Sequence, residues 1–219
     1  ADAFDPSDPS DPSDPSNETV LEGLRERALA MRPGGEIALD FAARNVVAVV
    51  GDTVFAHGGV LPHVARYGLE RLNQETRQWL RREVQCPPEV LLSSDGPVWS
   101  RHFSDAPDGE DCRLLGETLE LVGASRMVVG HTVMDAGIAP ACDGRVWRID
   151  VGMAEHYGGS PAVLELTHDG SRVLTAGGSR FRGYGSTSQG RSHHSSAEAD
   201  ATRTGLRANA DTNSRERGQ

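Results

Sequence analysis

The 219-residue sequence contains no lysine; all 22 basic residues are arginine, which we interpret as a codon-usage bias. It has three cysteines (Cys86, Cys112 and Cys142) and no CxxC pair. This odd count predicts neither a disulfide scaffold nor a zinc ribbon, and it favours a reduced intracellular compartment. No apolar run approaches the roughly 18 residues that cross a bilayer, so no membrane span is predicted. The chain begins with Ala1 and lacks a signal segment, so we expect a fragment or a processed start.

The net charge of −10 is unevenly distributed along the chain. Residues 1–16 contribute −5 and residues 179–219 contribute +3, which leaves −8 in the middle. An acidic body disfavours nucleic-acid binding, which depends on neutralising phosphates with basic side chains. The Asp-Pro-Ser repeat at 1–17 and the Arg/Ser/Gly-rich tail at 179–219 lack apolar periodicity and are predicted to be disordered. The ordered part is therefore predicted to be 18–178.

Apolar periodicity within the ordered part predicts both amphipathic helices and short strands. The predicted helices run from Asn17 to Met31, from Pro62 to about Glu83 with an interruption at Gly68, and over Leu114–Val122. The predicted strands are Val46–Val50, Thr53–His57, Arg126–Val129, Val146–Val151, Ala162–Thr167 and Arg172–Thr175. Because hairpin turns such as Gly51-Asp52 are mixed with helices, the sequence predicts an α/β chain with a mixed sheet.

Two histidines occupy matching positions in this pattern. His57 ends one predicted strand and precedes Gly58-Gly59, and His131 follows another strand and Gly130. At the carboxyl end of a strand an imidazole points out of the sheet edge, where ligands bind, and glycine neighbours leave room for a metal or an anion. A single histidine of this kind is more often a hydrogen-bonded structural residue. The matched pair makes metal binding and a structural role equally plausible interpretations.

The residues around these histidines resemble a known family. Val54–Pro62 resembles the HGG segment of calcineurin-like metallophosphoesterases, and Gly130-His131-Thr132 resembles their GH motif. Four further motifs point to one branch of this family. They are Tyr67–Glu70 with Asn73 and Trp79, Val98–Arg101, Arg126–Thr132 and Arg148–Met153. Together these motifs resemble Shewanella-like protein phosphatases, a branch of the phosphoprotein phosphatase family, over about residues 36–168. The implied fold is partial, with mixed β-sheets flanked by helices, and 18–178 corresponds to the carboxyl-terminal half of the family's domain.

The resemblance implies a site for two divalent metal ions (Mn, Fe or Zn). In the family these ions activate a bridging water, which attacks a phosphate monoester in line. His57 and His131 would be ligands of one ion. The family's GDxHG, GDxxDRG and GNHE motifs are absent from this sequence, and Gly51-Asp52 continues into Thr53 rather than into a motif. We therefore expect an incomplete metal centre.

Two further site residues are implied by the resemblance. Arg101 matches the catalytic arginine that binds the substrate's phosphate, a role that suits the forked guanidinium. Its alternative interpretation is a surface ion pair with Asp95 or Asp105. Tyr157 lies in the loop that borders the substrate cleft in relatives, and an ordinary loop tyrosine is an equally good interpretation.

The function expected from the resemblance is metal-dependent hydrolysis of phosphate monoesters on protein serine/threonine or tyrosine residues. Its partner would be a phosphorylated protein, in the cytoplasm or a plastid. The first alternative is a catalytically dead phosphatase-like binding module, with the Arg-rich tail as its candidate contact. The second is a plain α/β domain whose histidines are structural.

Overall fold

The computed structural model describes residues 15–167, 170–176 and 178–181. Its helices are α1 (Pro15–Met31), α2 (Glu36–Phe41), α3 (Pro62–Tyr67), α4 (Leu69–Leu80), α5 (Glu89–Leu92) and α6 (Gly109–Val122). Its strands are β1 (Val47–Val50), β2 (Thr53–Ala56), β3 (Arg126–Val129), β4 (Ala139–Ala141), β5 (Val146–Arg148), β6 (Ala162–Thr167), β7 (Gly170–Thr175) and β8 (Gly178–Phe181). Within this part of the chain, no helix has the length and apolarity to cross a membrane.

The main sheet has five strands in the order β1-β2-β3-β5-β4. Strands β2, β3 and β5 run parallel, while β1 and β4 are antiparallel to their neighbours at the two edges. Strands β6, β7 and β8 form a separate antiparallel sheet. The predicted α/β class with a mixed sheet is therefore confirmed.

Most predicted elements are found within a few residues of their expected bounds, and elements of the structure extend into the edges of both segments that the sequence predicts to be disordered. Helix α1 begins at Pro15, inside the segment predicted to be disordered up to residue 17. Strand β8 occupies Gly178–Phe181, so the start of the predicted disordered tail is paired with β7. Residues 1–14 and 182–219, which hold the rest of both predictions, lie outside the described residues.

The core lies where the central strands meet the helices. Val54, Met127 and Val146, one from each of the three parallel strands, are fully buried. Leu72 of α4 and Leu115 of α6 belong to the same apolar cluster. Burial of one such side chain stabilises a fold by about 1.5–3 kcal/mol, so this cluster holds the parallel strands in fixed positions.

The apolar face predicted for α1 is exposed. Val20, Leu21, Leu24 and Met31 each expose half or more of their surface. At the edge of the main sheet, Val50 of β1 is 64% exposed. The described residues thus leave one helix face and the end of one sheet edge uncovered.

Asn73 forms hydrogen bonds with the backbone at the start of that edge strand. It is buried on α4, and its Oδ1 accepts hydrogen bonds from the backbone N–H groups of Val46 (2.9 Å) and Val47 (3.1 Å). Its Nδ2 donates to the carbonyl of Val47 at 2.8 Å. One side chain therefore satisfies three backbone groups that β2 does not reach.

We expect Asn73→Ala to lower the free energy of unfolding by about 2 kcal/mol, because it leaves buried backbone donors and an acceptor without partners. Urea denaturation measures the change. Gln74→Ala is the matched control, since Gln74 is an exposed amide on the same helix and its loss should change stability by less than about 0.5 kcal/mol. Equal effects of the two substitutions would contradict the role assigned to Asn73.

Cys112 and Cys142 form a disulfide, with their Cα atoms 5.2 Å apart. The odd cysteine count predicted no disulfide scaffold, and this single disulfide was not anticipated from the sequence. The first turn of α6 lies against the turn between β4 and β5, which brings together two residues separated by 30 positions. The unpaired third cysteine is the exposed Cys86.

Candidate functional site

His57 and His131 lie side by side because β2 and β3 are adjacent parallel strands. Each histidine closely follows its strand, and the N–H of Gly130 donates to the carbonyl of His57 at 2.8 Å. The two imidazole rings meet edge to face, with His57 Nε2 3.0 Å from His131 Nδ1. Both histidines thus lie at the ends of their strands, as the sequence predicts, and the structure adds that they are neighbours.

The spacing of the two nitrogens fits one metal ion. Imidazole nitrogens bind zinc at about 2.0–2.1 Å in a tetrahedral site, so two of them on one ion lie about 3.3 Å apart. The observed 3.0 Å is close to this spacing and is also a hydrogen-bond distance between the two rings. No group of three or more His, Cys, Asp or Glu side chains suited to a metal occurs among the residues that the structure describes. The donor set therefore fits two of the ligands of one ion and offers no ligand set for a second.

The environment of His131 favours its neutral form. Burial lowers the pKa of its imidazole, and the positive charge of Arg101 and the neighbouring His57 act in the same direction. Neutral imidazole is the form that binds a metal. His131 also has a positive φ of 68°, which costs energy for a residue with a side chain and is often found at functional sites.

Gly58 and Gly59 have a different role from the one expected. A Cβ at Gly58 would lie 2.6 Å from the carbonyl oxygen of Ser100, and one at Gly59 would lie 2.8 Å from the ring of Phe103. The space beside His57 is therefore filled by the chain at 97–103. The N–H of Gly58 also donates to the carbonyl of Pro97 at 2.7 Å. The glycines bring this segment, which carries Arg101, against the strand end.

Arg101 lies in a cleft of about 700 Å³ next to His131. The cleft is lined by Leu92, Ser94, Asp95, Trp99, Arg101, His102, Asp105 and His131. Arg101 Nη1 donates to Thr132 Oγ1 at 2.9 Å. Within the described part of the chain it forms no ion pair, so the alternative interpretation of Arg101 as the partner of Asp95 or Asp105 is not supported.

Two ring-bearing residues of this cleft, Trp99 and His102, had no role assigned from the sequence. The side chain of Trp99 is 56% exposed, and its ring centroid lies 6.0 Å from that of His131. His102 Nδ1 lies 2.6 Å from Asp111 Oδ1, at the start of α6. Trp99 lies inside the Val98–Arg101 motif on which the resemblance rests, but the sequence assigned it no role, and His102 stood out only as the neighbour of Arg101.

The structure does not bring Tyr157 into this cleft. Tyr157 is exposed and lines a separate groove with Val133 and Gly158. Its expected contact with substrate stays a prediction. Asp52 lies at the opposite end of β2 from His57 and pairs with Arg126, which lowers the pKa of its carboxyl, so it is not part of the site.

The chain is similar to known phosphatases in sequence. It is 43% identical over 162 residues to Shewanella-like protein phosphatase 2 of Arabidopsis thaliana, and 31% identical over 115 residues to Shewanella-like protein phosphatase 1 of Plasmodium berghei. The chain is a homologue of the Shewanella-like protein phosphatases. The two matches cover 71% and 48% of this chain. No protein-family model matches it.

The similarity covers only part of the length of each relative. The chain spans 41% of the length of the Arabidopsis relative and 31% of that of the Plasmodium relative. A cold-active protein tyrosine phosphatase of a psychrophilic Shewanella species superposes with a TM-score of 0.53 at 20% identity, over 64% of this chain and 43% of that one. The fold of part of a phosphatase is therefore present, in a chain that matches less than half of the length of each of these proteins.

Proposed function

We propose that this chain contributes phosphate-binding and metal-binding residues to a metal-dependent protein phosphatase, which hydrolyses phosphate monoesters. The observation that carries the proposal is the placement of Arg101 in one cleft with His131, whose ring contacts His57. The homology to Shewanella-like protein phosphatases supports phosphorylated protein as the substrate. The chain does not contain the family's other three metal motifs.

Each residue of the site would have a separate role. Arg101 would bind two phosphate oxygens through its forked guanidinium, since no carboxylate among the described residues occupies it. His57 and His131 would hold one ion on the neighbouring strand ends. Such an ion, when bound, polarises a phosphate oxygen and lowers the pKa of a bound water. The exposed indole of Trp99 would contact the part of the substrate next to the phosphate.

A second candidate function is a binding module without catalysis. The observation in its favour is the metal site, since only two ligands are brought together among residues 15–167, 170–176 and 178–181. A cleft with an arginine that no described carboxylate neutralises and an exposed tryptophan can hold a phosphorylated peptide without cleaving it. The two functions share the cleft and differ in the metal centre.

Metal binding by the full chain tests the proposal. We expect calorimetry with Mn²⁺ or Zn²⁺ to show weak binding of at most one ion per chain, because two imidazoles lack the charge of a bridging carboxylate. His57→Ala and His131→Ala should each abolish it, while His63→Ala, an exposed histidine on α3, should leave it unchanged. Binding that survives both site substitutions would contradict the assignment. Two tight sites would show that further residues complete the centre.

A further inference from the structure

Thr132 links the histidine side of the candidate site to the segment that carries Arg101. Its Oγ1 accepts a hydrogen bond from Arg101 Nη1 at 2.9 Å and lies 2.8 Å from the hydroxyl of Ser104. Ser104 is fully buried and belongs to the same turn as Arg101, whose carbonyl accepts from the Ser104 N–H at 3.2 Å. A single hydroxyl on the loop after β3 therefore contacts both ends of the turn that carries the arginine.

The backbone at Thr132 is held in a tight turn. The Thr132 N–H donates to the carbonyl of Gly130 at 2.8 Å, across His131 with its positive φ of 68°. Such three-residue turns with a positive central φ are rare and strained. They persist only where surrounding contacts hold them. The hydroxyl contacts of Thr132 are contacts of this kind, so the conformation of His131 and the position of Arg101 depend on the same residue.

The contact with Thr132 also keeps Arg101 available. Asp95 and Asp105 line the same cleft, and a flexible guanidinium at this place would be attracted to either carboxylate. One of the five N–H groups of Arg101 is bonded to an uncharged acceptor, Thr132, and no residue in the described part of the chain takes the others, which leaves them for phosphate. A neutral partner fixes the side chain without neutralising its charge, which lowers the entropy cost of binding an anion.

We propose that Thr132 is a positioning residue, which holds the guanidinium of Arg101 toward the cleft so that it binds the phosphate of the substrate. Ser104 orients the Thr132 hydroxyl and supports this arrangement. The inference rests on the proposed function, because it requires that Arg101 bind phosphate.

Titration of the full 219-residue chain with inorganic phosphate tests the proposal, with the Kd measured by calorimetry and the Arg101 side-chain Nε–H followed by NMR. We expect Thr132→Val, which keeps the shape and removes the acceptor, to raise the Kd for phosphate about fivefold, the order expected when preorganisation of one long side chain is lost. Thr132→Ser should stay within about twofold of the original, because it restores the hydroxyl, and Ser104→Ala should have an intermediate effect. In an Arg101→Lys background, Thr132→Val should change the Kd by less than about twofold, since their interaction is already lost.

The outcomes separate this inference from the proposed function. If the Arg101 signal of the unsubstituted chain does not respond to phosphate, both are wrong. If it responds and Thr132→Val binds phosphate equally well, only the positioning role is wrong. If Thr132→Val lowers the affinity for phosphate equally in the unsubstituted chain and in the Arg101→Lys background, its effect is a general structural one. That result would also overturn the positioning role. If Thr132→Val does not fold, Ser104→Ala decides, because unchanged phosphate binding by that variant contradicts the proposal.

Discussion

Residues 1–219 are expected to hydrolyse no para-nitrophenyl phosphate above background, even with Mn²⁺ present. Uncatalysed hydrolysis of phosphate monoesters is among the slowest reactions known, so an incomplete site gives no detectable rate. The described residues bring together two candidate metal ligands, His57 and His131, and the sequence lacks the GDxHG, GDxxDRG and GNHE motifs. The absorbance of released para-nitrophenol tests this expectation.

The same assay becomes informative when the missing motifs are supplied. A chimera that joins the part of the Arabidopsis relative outside the matched region to this chain should be active if that part supplies the missing motifs. Arg101→Ala should lower its kcat by about 10²–10³-fold, the loss typical of one donor to the transition state. His57→Ala and His131→Ala should abolish activity, whereas Arg44→Ala, which removes an exposed arginine, should not. Turnover by residues 1–219 alone that His131→Ala abolishes would show that the site is complete as it stands.

Loss of the Cys112–Cys142 disulfide should destabilise the chain more than any single surface change. For the 30-residue separation, the loop-entropy model gives roughly 3–4 kcal/mol of unfolding free energy. Urea denaturation of the Cys112→Ser/Cys142→Ser double variant measures it.

A reducing agent gives an independent measurement of the same bond. Dithiothreitol should lower the stability of the original chain by a similar amount and leave the double serine variant unchanged. Cys86→Ser is the matched control, because Cys86 is exposed and unpaired, and it should have no effect. A double variant as stable as the original would show that the disulfide does not stabilise the fold.

The elements with strong local patterns were predictable from the sequence. The periodicity of α6 and the apolar run of β3 gave their positions closely, and the hairpin at Gly51-Asp52 was found where its turn residues predict it. Strand β4 was missed because Ala139–Ala141 has three residues with a proline in the centre, which is a weak strand pattern. The short helix α2 was missed because its six residues are too few to show helical periodicity.

The candidate site could be predicted only in part, for a physical reason. Strand ends placed His57 and His131 at a sheet edge, but the pairing of β2 with β3 joins segments about 70 residues apart and has no local signal. The contact between Arg101 and Thr132 depends on that pairing and on how the intervening chain packs. The disulfide was missed for the same reason, because a count of cysteines carries no information about their distance in space.

The close packing at Gly58 limits how this sequence can change. A Cβ there would meet the backbone oxygen and nitrogen of Ser100, and the carbonyl of Val98, rather than any side chain. No substitution at position 98 or 100 can make room, since every amino acid has the same backbone atoms. A mutation at Gly58 therefore has no single compensating substitution among its contacts, and it would be tolerated only with a shift of the whole segment that carries Arg101. Evolution or design can vary the side chains around this cleft, but it must keep this glycine or rebuild the loop.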